Sequence, residues 1–293
     1  MRLATVLYEG EQLPAVVGDR DAVRLVRDLV GDAPASMIDL IAAGPDLLAV
    51  LAGADSDPVE GTELLAPIPR PSRCVFCVGW NYLEHFEEGR GKRGGNYDPP
   101  DIPDYPTLFS KPPTSVVGPG GGVFHPGPHS EQLDWEVELA VIIGKGGRNI
   151  AQADAMSHVF GYTIAVDVSV RDLQRRHGAQ WFKGKGLDTH CPLGPWIVTA
   201  DEIPDPYSLH LELSVNGDVK QSDPTSLMVF KLPRIIEEFS LGMALEPGDV
   251  ILSGTPSGIG YARKPPQFLK VGDEMVATIS GIGTLANPII PMP

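Results

Sequence analysis

The chain has 293 residues, 42% of them hydrophobic and 21% charged, with a formal net charge of -15 at pH 7. This is the composition of a folded protein with a sizeable core, and its acidic balance excludes nucleic acid and anionic membrane surfaces as partners, because both require basic patches. No apolar leader opens the sequence and no apolar run reaches membrane-span length, so a cytoplasmic enzyme or binding protein is expected.

Residues 1–70 read as a small N-terminal α+β domain. Leu3 to Tyr8 and Leu13 to Val17 are short strands around the turn Glu9-Gly10-Glu11, and Val23 to Leu25 follows. Helices are expected around Ser36 to Ala43 and Asp46 to Leu51, parted by Gly44-Pro45. The segment has no histidine or cysteine and reads as structural. Pro67-Ile68-Pro69-Arg70-Pro71 is a stiff connection into a second, larger domain, residues 71–293.

Cys74 to Val78 is expected to be a buried strand. The C-x-x-C of Cys74 and Cys77 lies within it, and without a second pair to complete a zinc site the two read as buried reduced thiols. Leu83 to Glu88 follows as a short helix with His85 and Glu88 on one face. It runs into a Gly-, Pro- and Asp-rich stretch from Gly89 to Pro106, and a loop of that length is uncommon in a compact domain unless it is functional. Residues 83–106 therefore read either as a lid carrying a His-Glu pair or as an exposed pair before a decorative loop. Thr107 to Lys111 is a short strand with Lys111 expected to face solvent. Gly118 to Gly122 is not a dinucleotide fingerprint, because no helix follows, and His125 and His129 are too isolated to be ligands.

The strongest chemical signal is Leu133 to Gly144. With a period of two, Trp135, Val137, Leu139, Val141 and Ile143 form a core face, while Glu136 and Glu138 lie opposite, followed by Ala140 and Ile142. Two carboxylates one pleat apart repel each other. Either they face water on an edge strand, or they share a hard divalent cation with oxygen ligands. Ala151 to Val159 reads as a helix with Asn149 as N-cap. Phe160 to Val168 is a second strand, with Asp167 on its small-residue face, and Ser169 is expected to cap the helix that carries Arg171, Gln174, Arg175 and Arg176. Lys185 sits between Gly184 and Gly186, where the backbone can come close to a ligand, and the segment lacks the spacing of a P-loop. Leu209 to Val215 with Asn216-Gly217 is a hairpin. Leu232 to Ala244 is an amphipathic helix with Ile235, Ile236, Phe239, Leu241 and Met243 on its apolar side. Asp249 to Leu252 is a buried strand that breaks into the Gly-rich turn Ser253 to Gly260, able to present N–H groups and the Thr255 hydroxyl to an anion.

Taken together, Cys77-Val78-Gly79-Trp80-Asn81-Tyr82 with His85 and Glu88, Ser110-Lys111-Pro112-Pro113, Asp134-Trp135-Glu136-Val137-Glu138, Asp167 with Asp172 and Gln174, Lys183 to Thr189 and Ser253 to Gly260 resemble the fumarylacetoacetate hydrolase family over about residues 70–290. The ending Tyr261 to Pro266 is similar to its 2-hydroxyhepta-2,4-diene-1,7-dioate isomerase branch. The resemblance implies a mixed, β-rich α+β fold, a β-roll with a barrel-like sheet, usually dimeric. It implies Glu136, Glu138 and Asp167 as ligands of Mg²⁺ or Mn²⁺, with Ca²⁺ in some members, and His85 with Glu88 as a water-activating dyad. Lys185 would stabilise charge, with Gln174, Thr255, Lys111 and Tyr82 as further contacts to a small anionic 2-oxo or β-diketo acid. The implied reaction is C–C bond hydrolysis of an acylpyruvate through a pyruvate enolate. The alternatives are decarboxylation of an oxaloacetate-type β-keto acid or keto–enol isomerisation at the same metal, and a non-catalytic 2-oxo acid binder.

Overall fold

The computed structural model describes residues 1–92, 99–178 and 180–293. Residues 93–98, within the expected lid, and residue 179 lie outside that description. The strands are β1 (Arg2–Tyr8), β2 (Glu11–Val17), β3 (Val23–Leu25), β4 (Glu63–Leu64), β5 (Val75–Gly79), β6 (Thr107–Lys111), β7 (Val116–Val117), β8 (Val123–His125), β9 (Leu133–Asp134), β10 (Val137–Ile143), β11 (Val159–Val166), β12 (Ser169–Val170), β13 (Cys191–Thr199), β14 (His210–Val215), β15 (Asp218–Pro224), β16 (Val250–Leu252), β17 (Glu274–Ile279) and β18 (Gly283–Pro291). The helices are short: α1 (Val26–Leu29), α2 (Met37–Ala43), α3 (Pro45–Gly53), α4 (Leu83–Glu88), α5 (Gln152–Ala155), α6 (Arg171–Arg176), α7 (Phe182–Lys185) and α8 (Leu232–Ser240).

Local chemistry sets the hairpins. Glu9-Gly10 and Asn216-Gly217 all have positive φ (51°, 84°, 52° and 83°), which is what a two-residue type I′ turn demands; Gly10, Asn216 and Gly217 suit it, and Glu9 adopts it without that preference. The first closes β1 on β2 in the register Tyr8↔Glu11, the second β14 on β15. Ser36 caps α2 by accepting from Asp39 N–H.

The large sheet runs β3-β2-β1-β13-β11-β10-β16-β5-β6, with β4 on β1 and β7 on β13. The N-terminal strands thus join the sheet of the larger unit through β1 and β13, in the register Leu3↔Ile197. The chain leaving β6 pairs again at Val116–Val117 with β13, so the far edge of the sheet curls back onto its middle. A five-stranded sheet, β15-β14-β17-β18-β8, covers the outside with α8.

β10 carries this architecture. It is central, between β11 and β16, and alternates between two cores. Val137, Leu139, Val141 and Ile143 join the core between the sheets. Ala140 and Ile142 join the core inside the curl, with Ala165, Cys77, Cys191 and Leu252.

Some expected local features differ. α8 stops at Ser240, and Leu241 and Met243 are exposed. The Ser240 carbonyl accepts from Asn149 N–H and Gly242 turns to φ 70°, so the chain departs although its apolar period continues. Asn149 accepts from Gly242 N–H through its side chain instead of capping α5. Ser169 donates to the Asp167 carbonyl, and α6 has no side-chain cap. Cys74 is only half-buried, while Cys77 and Cys191 are buried. Burial pushes the Cys191 thiol up to about 12 and the Cys77 thiol well above its usual range, so both stay protonated.

Candidate metal centre and active site

The carboxylate pair stands where β9 breaks from β10. Asp134 is the last residue of β9. Its Oδ1 accepts from Trp135 N–H and Gly260 N–H, and its Oδ2 from Tyr261 N–H and Arg171 Nε, at 2.7–3.0 Å. Every acceptor position of that carboxylate is used. Glu136 and Glu138 then point into the curl, 4% and 1% exposed. On a central strand with both faces covered, the exposed-edge reading does not apply. Asp167, just past β11, donates its N–H to the Glu136 carbonyl at 2.8 Å and turns its own side chain inward. One oxygen from each of Glu136, Glu138 and Asp167 lies within 4.8 Å of the others.

Three buried cations surround them. Lys185 Nζ spans Glu136 Oε2 at 2.7 Å and Asp167 Oδ2 at 2.6 Å. Arg171 Nη2 is 2.7 Å from Glu136 Oε1 and its Nε serves Asp134. Lys111, expected to face solvent, is wholly buried. Its Nζ is 2.5 Å from Asp167 Oδ1, with the Val168 carbonyl at 3.2 Å and the Lys185 carbonyl also accepting. The correction has a physical reason: β6 is drawn into the curl when the following segment pairs with β13, so the side of β6 bearing Lys111 becomes interior. Close approach of the lysine-bearing helix is allowed by Gly184, since a Cβ there would stand 2.3 Å from Gln174 N.

The carboxylates do not share this compensation equally. Burial raises the proton affinity of Glu136, but Lys185 and Arg171 outweigh it and hold the group far below the usual carboxylate range. Glu138 is pushed well above that range by burial and by the Asp167 and Glu136 charges. Its hydrogen bond is to Gly254 N–H at 2.6 Å, and among the described residues no cation is paired with it. Burial disfavours the Lys185 ammonium, yet Asp167 and Glu136 raise its proton affinity above the ordinary lysine value. Three of the four buried carboxylates (Asp134, Glu136, Asp167) are balanced by three buried cations (Lys111, Arg171, Lys185), and Glu138, the fourth, is without a cation among the described residues and holds its proton in the absence of a metal. An all-oxygen, negatively charged, buried donor set fits a hard divalent cation such as Mg²⁺ or Mn²⁺.

His85 and Glu88 pair on α4, with His85 Nδ1 2.9 Å from Glu88 Oε1. Glu88 Oε2 accepts from Gly258 N–H at 2.9 Å. A carboxylate only accepts, so Nδ1 carries the proton and Nε2 holds the free lone pair. His85 is buried and near enough to Glu136 that its protonated form would lower the proton affinity of that carboxylate. The Gly-rich turn does present N–H groups to anions, but the anions are the protein's own. Gly254 serves Glu138, Gly258 serves Glu88, and Gly260 and Tyr261 serve Asp134.

Of the remaining expected contacts, Thr255 donates its hydroxyl to the Val137 carbonyl at 2.9 Å. Gln174 is half-buried and accepts from Arg171 Nη1 at 3.2 Å. Tyr82 packs in the core between the sheets, and its phenolic oxygen has no hydrogen-bond partner among the described residues. Sequence reasoning missed the placement of Arg171 and Asp134. The only signal was charge itself, a carboxylate just before the Glu pair and an arginine four residues after Asp167.

A sheet-rich fold around a buried cradle of three carboxylates, faced by a His-Glu pair, defines a class of metal-site proteins, and comparison gives the family. Residues 74–290 match the model of the fumarylacetoacetate (FAA) hydrolase C-terminal domain, and the chain belongs to that family. It is 48% identical over 227 residues to oxaloacetate tautomerase YisK of Bacillus subtilis, covering 78% of this chain and 73% of that one. Among solved structures, 2-hydroxyhepta-2,4-diene-1,7-dioate isomerase from Mycobacterium marinum superposes with a TM-score of 0.73 at 34% identity, over 99% of this chain and 98% of that one. Maleylpyruvate hydrolase from Sphingobium sp. SYK-6, in complex with manganese (II) ion and pyruvate, gives a TM-score of 0.79 at 32% identity over 100% of both chains. Among the described residues, no helix is long and apolar enough to cross a membrane.

Proposed function

We propose that the protein is a divalent-metal-dependent enzyme that interconverts the keto and enol forms of a 2-oxo acid of the oxaloacetate type. The observation that carries this reading is a fixed base, His85 on Glu88 at 2.9 Å, beside a buried cradle of three carboxylates, one of which, Glu138, has no cation partner among the described residues. Similarity to an oxaloacetate tautomerase supports the reaction class, and the manganese and pyruvate of the maleylpyruvate hydrolase complex support the ligand chemistry.

Glu136, Glu138 and Asp167 would hold Mg²⁺ or Mn²⁺, which when bound supplies Lewis-acid polarisation of a keto oxygen. Lys185 keeps a positive charge beside the same oxygen, where negative charge develops as the enol forms. His85 Nε2 accepts the proton leaving the carbon next to the keto group and returns it to the oxygen, with Nδ1–H held throughout by Glu88. Burial of the cradle keeps bulk water from competing for that proton.

A second reading, hydrolysis of an acylpyruvate, is favoured by the maleylpyruvate hydrolase neighbour, and assigns His85 to water instead of carbon. The two are separated by dissolving enol-oxaloacetate with metal-loaded protein, following loss of the enol absorbance, and assaying pyruvate release from a graded acylpyruvate panel. Accelerated enol loss without pyruvate release is expected. Pyruvate release from the panel, with the enol decaying at its uncatalysed rate, transfers the assignment to hydrolysis.

A further inference from the structure

The Glu136–Val137–Glu138 segment is held on one side by backbone and on the other by side chains. Val137 pairs with Val166 of β11. On its other flank β10 pairs with β16 only over Ala140–Ile142, because β16 ends at Leu252. Ser253 N–H still reaches the Leu139 carbonyl at 3.1 Å. One pleat further on, where the carboxylates begin, the ladder has run out.

Gln221 and Thr255 continue it. Val137 N–H donates to Gln221 Oε1 at 2.9 Å, and Thr255 Oγ1 donates to the Val137 carbonyl at 2.9 Å. Gln221 Nε2 then donates to Thr255 Oγ1 and to the Pro256 carbonyl, each at 2.8 Å. The amide orientation follows from its neighbours, since Val137 N–H can only donate and the Pro256 carbonyl can only accept. Both side chains are buried, so an open position here would leave a backbone donor and acceptor without water. Gln221 comes from β15 of the outer sheet. The β14–β15 register shifts between Leu213 and Ser214, pairing Leu213 with Gln221 and Ser214 with Val219, and such a bulge re-aims a side chain. The turn fits this bulge closely: a Cβ on Gly258 would stand 2.2 Å from the Lys220 carbonyl.

We propose that Gln221 and Thr255 are positioning residues for the metal cradle: by fixing both peptide groups of Val137 they set the spacing of Glu136 and Glu138, and with it the affinity for a divalent cation. This rests on the metal reading given above. Groups that orient ligands in this way typically contribute 10–100-fold in metal affinity.

The test is Mn²⁺ titration by calorimetry and electron paramagnetic resonance, together with urea midpoints of the metal-free protein. Thr255→Val is nearly isosteric and removes only the hydroxyl, so it keeps the test available if Gln221→Leu fails to fold. Both are expected to weaken Mn²⁺ binding by about 10–100-fold, and Thr255→Ser is expected to restore it. Ile236→Val, a core truncation on α8, is expected to lower the urea midpoint without moving Mn²⁺ affinity. That contrast separates positioning from general loss of stability. Wild-type Mn²⁺ affinity in Thr255→Val overturns the positioning role, and absence of Mn²⁺ binding by the wild type overturns the metal reading itself.

Discussion

Lys111 Nζ stands 2.5 Å from Asp167 Oδ1, with both side chains completely removed from solvent. Removing one partner of a buried ion pair leaves the other uncompensated, which costs about 3–5 kcal/mol. Lys111→Met keeps the stem and removes the charge. It is expected to lower the urea midpoint correspondingly with an unchanged slope, and to weaken Mn²⁺ binding because the Lys185 carbonyl and Asp167 lose a common anchor. An unchanged midpoint would show that Lys185 alone compensates Asp167.

Lys111 also marks where sequence reading stops. The period-two pattern of Leu133 to Ile143 was enough to find Glu136 and Glu138 on one face, because a strand's own geometry decides that. It was not enough to say which side of β6 is interior. That depends on the chain pairing at Val116–Val117 with β13, a contact between segments some 75 residues apart. Arg171 poses the same difficulty. It is one of three arginines on a six-residue helix, and only the fold turns it to Asp134 and Glu136 while Arg175 and Arg176 stay outside. Thr255 was legible as a turn residue, but its hydroxyl was expected to face an anion and instead donates to a backbone carbonyl. That this carbonyl belongs to Val137, and that Gln221 arrives from another sheet to complete the set, required the packing.

Glu138 makes metal binding a proton exchange. In the unfolded chain it ionises in the usual carboxylate range, whereas in the folded, metal-free protein burial and its two acidic neighbours hold its proton to much higher pH. The folded state therefore binds more protons between the two values, and the Glu138 contribution to stability falls as pH rises through the folded value. Glu136 has the opposite sign: held low by Lys185 and Arg171, it contributes stability above its ordinary range that is lost as pH falls toward its depressed folded value. A cation must displace the Glu138 proton. Mn²⁺ titrations at mildly acidic pH in two buffers of different ionisation enthalpy are expected to show release of about one proton per metal. Identical heats in both buffers would mean that Glu138 is already ionised.

Lys185 separates turnover from metal binding. Its ammonium sits between Glu136 and Asp167 and opposes a cation in the cradle while supporting an oxyanion beside it. Lys185→Met is expected to leave Mn²⁺ affinity equal or tighter and to lower kcat by roughly 10²–10³-fold, the size of one lost oxyanion donor. Weaker Mn²⁺ binding in this variant would mean that Lys185 orients the ligands more than it repels the metal.

Glu88→Gln tests the base without changing its shape. The native carboxylate accepts twice, from His85 Nδ1–H and from Gly258 N–H. An amide in its place has one accepting and one donating end. Gly258 N–H can only donate, so it takes the oxygen, and the NH₂ group turns to His85 Nδ1. The imidazole must then accept at Nδ1 and carry its proton on Nε2, the atom that has to be free to receive one. Turnover is expected to fall by about 10²–10⁴-fold, the usual contribution of a general base, with Mn²⁺ affinity unchanged. The ¹⁵N shifts of the His85 ring in metal-free protein report the tautomer directly. Finding the proton on Nδ1 in both wild type and Glu88→Gln would show that Glu88 does not set it, and the loss of rate would need another cause.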